Sequence, residues 1–195
     1  MAKIITIANP KGGVAKTTTC IYIATLLSRN GKVLLKDTDP QASATEWLED
    51  IENLPFDWEV ANIRNMEKTF DYDFVVIDTP PQNSDIITKA IQIADFVIVP
   101  TSPSGLDHQR VYPVVDVVSR LGISYRVLLT QADSRTNSFK TMIEMFDGAG
   151  IRYFLNSIPK KEVIKKTFGK IPTLADEIKD YELFFNEFWS LLNGQ

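Results

Sequence analysis

Two lysines, Lys11 and Lys16, stand five residues apart around the small-residue run Gly12-Gly13-Val14-Ala15, and three threonines, Thr17, Thr18 and Thr19, follow directly. Small residues let backbone N–H groups approach phosphate oxygens, and a helix starting at such a run adds the positive end of its dipole. Lys16 then supplies a point charge to the β- and γ-phosphates, and the Thr17 hydroxyl offers an oxygen to Mg2+. The strict phosphate-loop pattern GxxxxGK[ST] fails twice, because Pro10 holds the first glycine position and Ala15 the second. On this reading the Ala15 methyl is accommodated if φ stays negative and the methyl points away from the phosphates.

Two acidic positions complete the chemistry. Lys36-Asp37-Thr38-Asp39-Pro40-Gln41 follows an apolar run and sets a carboxylate pair beside the loop. Asp39 suits the task of orienting water, since in-line attack on a phosphoryl group chiefly needs the nucleophile held in place. The blander reading makes Asp39-Pro40 a cap for the next helix. Asp78 ends Phe74-Val75-Val76-Ile77-Asp78, where a carboxylate can hold Mg2+ or its water shell. A lone acid after a strand is most often a turn residue, but its register with the other two motifs favours the metal side.

The elements that must position these residues are legible as apolar runs. Residues 4–8, 32–36, 74–77, 96–99 and 126–130 are short, rich in β-branched residues and nearly continuous, as strands buried on both faces of a parallel sheet are. Helical spacing occupies 17–29, 85–93, 106–121 and 138–146, the first ending at Asn30-Gly31. Alternating strands and helices predict an α/β fold with a mainly parallel, doubly wound sheet, and ligands at the carboxyl ends of its strands. A length of 195 residues predicts a single domain over 1–195.

Composition excludes several classes. Hydrophobic residues at 44% and charged residues at 24% are globular rather than disordered values, and a net charge of −4 argues against a uniformly basic nucleic-acid coat. Cys20 alone cannot make an internal disulfide, a four-thiolate zinc site or an iron–sulfur ligand set. No apolar run reaches membrane-spanning length and the N-terminus does not resemble a secretory signal, so a reducing, cytoplasmic setting is expected. Charge is unevenly spread: residues 37–63 hold eight acids and no Lys or Arg, whereas 151–170 hold six basic residues and one acid.

The loop at 11–17, the Asp37–Gln41 segment, Asp78-Thr79-Pro80-Pro81 and Val99-Pro100-Thr101-Ser102-Pro103-Ser104-Gly105-Leu106-Asp107 together resemble the ParA/MinD class of deviant Walker ATPases. The match is to the short form without an N-terminal helix-turn-helix domain. The resemblance implies a P-loop NTPase domain that binds ATP and Mg2+ through Lys11, Gly12, Gly13, Val14, Ala15, Lys16, Thr17 and Thr18. It implies Lys11, Lys16 and Asp39 as catalytic residues, with Lys11 reaching a partner subunit's phosphates in an ATP-dependent homodimer. Thr17 and Asp78 take the metal side, Asp78 through water. The segment 79–81 corresponds to a switch that senses the γ-phosphate. Gln131 and Pro159 fall where family members contact adenine.

The same resemblance places non-specific DNA binding on Lys160, Lys161, Lys165, Lys166 and Lys170, though a solvated helix face is the usual fate of such lysines. The expected function is adaptor-stimulated ATP hydrolysis, weak when unaided, that segregates plasmid or chromosomal DNA on the nucleoid with a ParB-type adaptor. Alternatives are positioning of another cargo such as a carboxysome, a MinD-like membrane regulator, or a dethiobiotin-synthetase-like ligase. Membrane association is not expected, because residues 180–193 carry Glu182 and Glu187 and no Lys or Arg. Leu183, Phe184, Phe188, Leu191 and Leu192 are expected to pack on the domain, Cys20 in helix core, Trp47 and Trp58 on sheet or interface, and His108 on a helix surface.

Overall fold

A computed structural model describes residues 1–68, 71–103, 107–173 and 175–194, without the side chains of Asp107 and His108. The loop residues Ser104, Gly105 and Leu106, the start of the helix expected at 106 and the His108 side chain therefore lie outside the described part. Six strands, β1 (Lys3–Ile7), β2 (Val33–Asp37), β3 (Asp57–Val60), β4 (Phe74–Asp78), β5 (Phe96–Thr101) and β6 (Ser124–Leu129), form one sheet in the order β3-β2-β4-β1-β5-β6. All five pairings are parallel, so the sheet expected to be mainly parallel is wholly so among the described residues.

The continuous apolar runs are explained by two covered faces. Ile5, Ile7, Leu35, Val76 and Ile98 point to one side, under α1 (Lys16–Leu27), α2 (Ser43–Leu48) and α7 (Ala175–Leu192). Their neighbours Val97, Val99, Val127 and Leu129 point to the other, under α4 (Val111–Leu121) and α5 (Asn137–Gly148), while Val75 and Ile77 meet Ala90 of α3 (Ser84–Gln92). A period of two then gives core on both sides. α1 is buried nearly all round, with Cys20, Ile21, Tyr22 and Ile23 inaccessible, and α7 stacks Tyr181 on Tyr22 at 4.0 Å between ring centres. Phe184 and Phe188 are fully buried in α7 as expected, but Leu183 is 50% exposed: it occupies the outer face of an amphipathic helix.

Edge strand β3 is absent from the sequence reading because Asp57-Trp58-Glu59-Val60 is mostly exposed and carries two acids. Its stabilisation comes from a residue on β2. The Lys36 side chain is fully buried and its Nζ pairs with Glu59 at 2.8 Å while donating to the carbonyls of Lys68 (2.6 Å) and Asn65 (3.3 Å). A buried ammonium tolerates this only with its donors engaged. β1 lies where the chain order of the sheet reverses, so the crevice at its carboxyl end is the natural ligand position.

Candidate functional site

The loop between β1 and α1 is held from several directions. Asn9, fully buried, donates through Nδ2 to the Pro100 carbonyl (2.8 Å) and accepts the Lys11 amide on Oδ1 (2.9 Å). The carbonyls of Pro10, Gly13 and Val14 accept from the Gln82 amide (3.0 Å), Gln131 Nε2 (2.8 Å) and Thr130 Oγ1 (3.1 Å). These bonds engage the loop's carbonyls, and Gly13 (φ +75°) and Ala15 (φ +63°) give the backbone the alternating hand of an anion-binding nest. A Cβ at Gly13 would meet nothing within 4 Å but would strain the left-handed backbone.

Ala15 corrects an expectation. Its φ is positive, not negative, because the N-cap of α1 must turn left-handed for the loop to close onto the helix. An alanine tolerates that conformation at a cost of roughly 1–2 kcal/mol. No side chain caps α1, which leaves the first-turn amides available to an anion.

Gly12, Gly13, Lys16, Thr17, Asp39 and Pro81 line one cleft of about 260 Å3. Lys16, 8% exposed, folds over the loop and donates from Nζ to the Lys11 carbonyl at 2.8 Å. Burial lowers its pKa from the ordinary lysine value, and the charges of Asp78 and Asp39 act against that shift. Val14 contributes backbone only, its side chain being buried in the core. Lys11 is half-buried and contributes its amide and carbonyl to the loop.

β2 and β4 are neighbours in register, with Asp37 opposite Asp78. Asp78 is fully buried; its Oδ2 accepts from Thr17 Oγ1 at 2.7 Å, and Oδ1 accepts no hydrogen bond among the described residues. Burial pushes its carboxyl up to about 7, the Asp37 charge adds to that, and Thr17 and Lys16 oppose it. A buried carboxylate oxygen without a donor, next to a threonine hydroxyl on the cleft wall, is a donor set that fits a divalent cation taken with its waters. Among the described residues no group of three or more His, Cys, Asp or Glu is arranged to hold a metal ion by itself. Asp37 is also fully buried, whereas Asp39 is half-exposed, lines the cleft, and on its Oδ1 accepts the Gln41 amide at 2.9 Å.

A second pocket of about 250 Å3 adjoins the cleft and shares Ala15 and Thr18 with it. The adenine candidates Gln131 and Pro159 both line it, and so do Ile158 and three aromatic residues that the sequence reading did not connect to the site, Trp47, Phe168 and Tyr181. Their only signal in the sequence is aromaticity, which core residues share. Gln131 is held left-handed (φ +51°) with its amide on the Gly13 carbonyl, so it braces the loop as well as lining the pocket.

The basic stretch surrounds this pocket's mouth: Lys160, Lys161 and Lys165 line it. Three of the five candidate DNA lysines are in ion pairs: Lys161 with Asp180 (2.6 Å), Lys165 with Glu162 (2.7 Å) and Lys170 with the buried Glu177 (2.5 Å). Trp47 Nε1 donates to the Lys170 carbonyl at 3.0 Å, and its ring packs on Phe168 at 5.3 Å between centres, so the end of the stretch is docked on α2. No helix among the described residues is long and apolar enough to cross a membrane.

Comparison with known proteins gives the same address. The model of the CobQ/CobB/MinD/ParA nucleotide-binding domain matches residues 5–172. The maintenance of carboxysome distribution protein A of Gloeobacter kilaueensis is 39% identical over 141 residues, which cover 69% of this chain and 65% of that protein, just under two thirds of its length. The chromosome-partitioning ATPase Soj of Thermus thermophilus is 31% identical over 180 residues, covering 74% of this chain and 70% of its own. Among solved structures, a Borrelia burgdorferi protein bound to AMPPNP superposes with a TM-score of 0.79 at 24% identity, covering 97% of this chain and 99% of that one.

Proposed function

The chain belongs to the CobQ/CobB/MinD/ParA nucleotide-binding domain family, and from that premise we propose that it is a ParA-type ATPase. In this reading it binds ATP with Mg2+, closes into a homodimer, holds DNA without sequence preference, and hydrolyses ATP when a ParB-type adaptor stimulates it. The cycle segregates plasmid or chromosomal DNA. The observation that supports this best is the convergence of Lys16, Thr17 and Asp39 on one cleft, with Asp78 bonded to Thr17 beneath it.

Each residue has a task that its surroundings suit. The nest at 12–16 and the α1 N-terminus receive the phosphates, and Lys16, already bent over the loop, exchanges a carbonyl for a phosphate oxygen. Lys11 extends to the partner's phosphates in the closed pair. Thr17 Oγ1 and, through water, Asp78 would hold the metal, which when bound would offset negative charge on the phosphates. Asp39 orients water for in-line attack. Gln131 and Pro159 flank the base in the adjoining pocket, and the lysines at its mouth face DNA phosphates.

Sedimentation with and without Mg2+-ATP, followed by random-sequence duplex, tests the cycle: dimer only with nucleotide and DNA retained only by the dimer are the expected results. Asp39→Ala is expected to keep ATP binding and the dimer and abolish phosphate release; undiminished release removes Asp39 from the role. A second reading, positioning of a carboxysome, is favoured by the 39% identity to the Gloeobacter protein. The cargo that the ATP-bound protein retains, a centromere–adaptor complex or a protein microcompartment, separates the two.

A further inference from the structure

Asp39 is the water-positioning group on the reading above, and this inference rests on that reading. Its own bonds stay within the loop, its carbonyl accepting the Ala42 amide (2.7 Å) and its Oδ1 the Gln41 amide (2.9 Å), while Thr38 before it donates its amide to the Asp78 carbonyl (3.1 Å). The five residues 38–42 connect β2 to α2, and one side chain spans them: Asp37. The carboxylate accepts the Asp39 amide on Oδ1 (3.0 Å) and, on Oδ2, both the amide (2.9 Å) and the hydroxyl (2.8 Å) of Thr45. Asp37 is completely inaccessible to solvent and sits at the end of β2, an interior strand between β3 and β4. The other end of the span is equally fixed. α2 has six residues, too few to be stable alone, and is seated by Ala44, Trp47 and Leu48 in the core. Its own N-cap, Ala42, is left-handed (φ +54°) and offers no side-chain acceptor, so Asp37 does the capping from five residues upstream.

We propose that Asp37 and Thr45 are positioning residues for hydrolysis: their contact closes the 38–42 loop and so fixes Asp39 where it holds the attacking water. The chemistry demands an acid at 37. Both oxygens receive donors, and only a carboxylate accepts on both sides. An asparagine of the same shape must turn its NH2 toward either the Asp39 amide or Thr45, and one end of the loop then faces donor against donor. The nucleotide cradle does not share this dependence, because the phosphate loop is braced separately by Asn9, Thr130 and Gln131.

The test combines steady-state kinetics with amide hydrogen exchange of the metal-free, nucleotide-free protein. Asp37→Asn is expected to lower kcat by about tenfold or more while KM for ATP changes less than twofold. Thr45→Val, which keeps the side-chain shape and removes one donor, is expected to lower kcat about threefold, and Thr45→Ser to restore it. Exchange at residues 38–42 is expected to quicken in Asp37→Asn and Thr45→Val and to match that of the unaltered protein at 11–16. Unchanged kcat, or kcat and KM falling together with melting temperature in both variants, overturns the proposal. If Asp37→Asn does not fold, the Thr45 pair decides. A wild-type protein without ATP turnover defeats the ATPase reading instead, and exchange then decides this one: unaltered protection at 38–42 in the variants overturns it.

Discussion

Lysines do opposite work in two neighbouring regions of this molecule. In the phosphate loop Lys16 is 8% exposed and fixed on a carbonyl, within a backbone braced from distant segments by the Gln82 amide and the side chains of Thr130 and Gln131. In the stretch 160–170 the lysines stand at the surface around a pocket mouth, and their partners are acids of the same stretch or of α7. The first arrangement costs desolvation and gains a fixed geometry, which a reaction centre needs. The second costs little and gains only charge density, which suffices for a polyanion read without sequence. Lys170 sits between the two types, an exposed head on the buried carboxylate of Glu177, so it belongs more to the docking of α7 than to a charged face.

The largest expected effect breaks the first region. Lys16→Ala is expected to lower kcat/KM for ATP by about 1000-fold, measured as phosphate release, with the fold retained by circular dichroism. Next, changing Lys160, Lys161, Lys165 and Lys166 together to Glu is expected to abolish retention on random-sequence duplex at about 50 mM salt, while ATP binding stays within a few-fold. Retention by the unaltered protein is expected to fall steeply with salt, which a preorganised site would not show.

A smaller effect concerns the buried acid. Asp78 has its carboxyl raised to about 7, so the neutral form is favoured in the folded state relative to the unfolded one. Its contribution to stability is present in full below about pH 4 and is lost as pH rises through about 7. In EDTA, Asp78→Asn is expected to flatten this slope, raising stability at pH 8 by at most about 4 kcal/mol and leaving it unraised at pH 4. Calorimetry at the two pH values checks it. The smallest effect is at Ala15, where glycine relieves the left-handed strain and is expected to add about 1 kcal/mol of stability in a denaturant titration.

Much of the site is legible in the sequence because its parts are consecutive. A phosphate loop, a strand-end acid and an Asp-X-Asp segment are local patterns, and each ends an apolar run that the sheet turns into a strand. What stays hidden depends on residues far apart. Trp47, Phe168 and Tyr181 meet only when α2, the turn that follows α6 (Glu162–Lys165) and α7 pack, and nothing distinguishes them beforehand from other core aromatics. Edge strand β3 is hidden because its pairing rests on Lys36, a charged residue inside the sheet that no hydrophobic pattern anticipates. The hand of Ala15 is hidden for a different reason: loop closure overrides the preference of the residue that happens to be there.

Cys20 lies one turn into α1, inaccessible and beside Asp78, with its thiol pushed well up by burial and by that neighbouring charge. It is also the sole cysteine of the chain. A fluorophore or spin probe attached to a cysteine introduced on the surface therefore reacts at that place alone, without first removing a native sulfhydryl. Association and release of two protomers can be timed on a protein whose interior is left as it was.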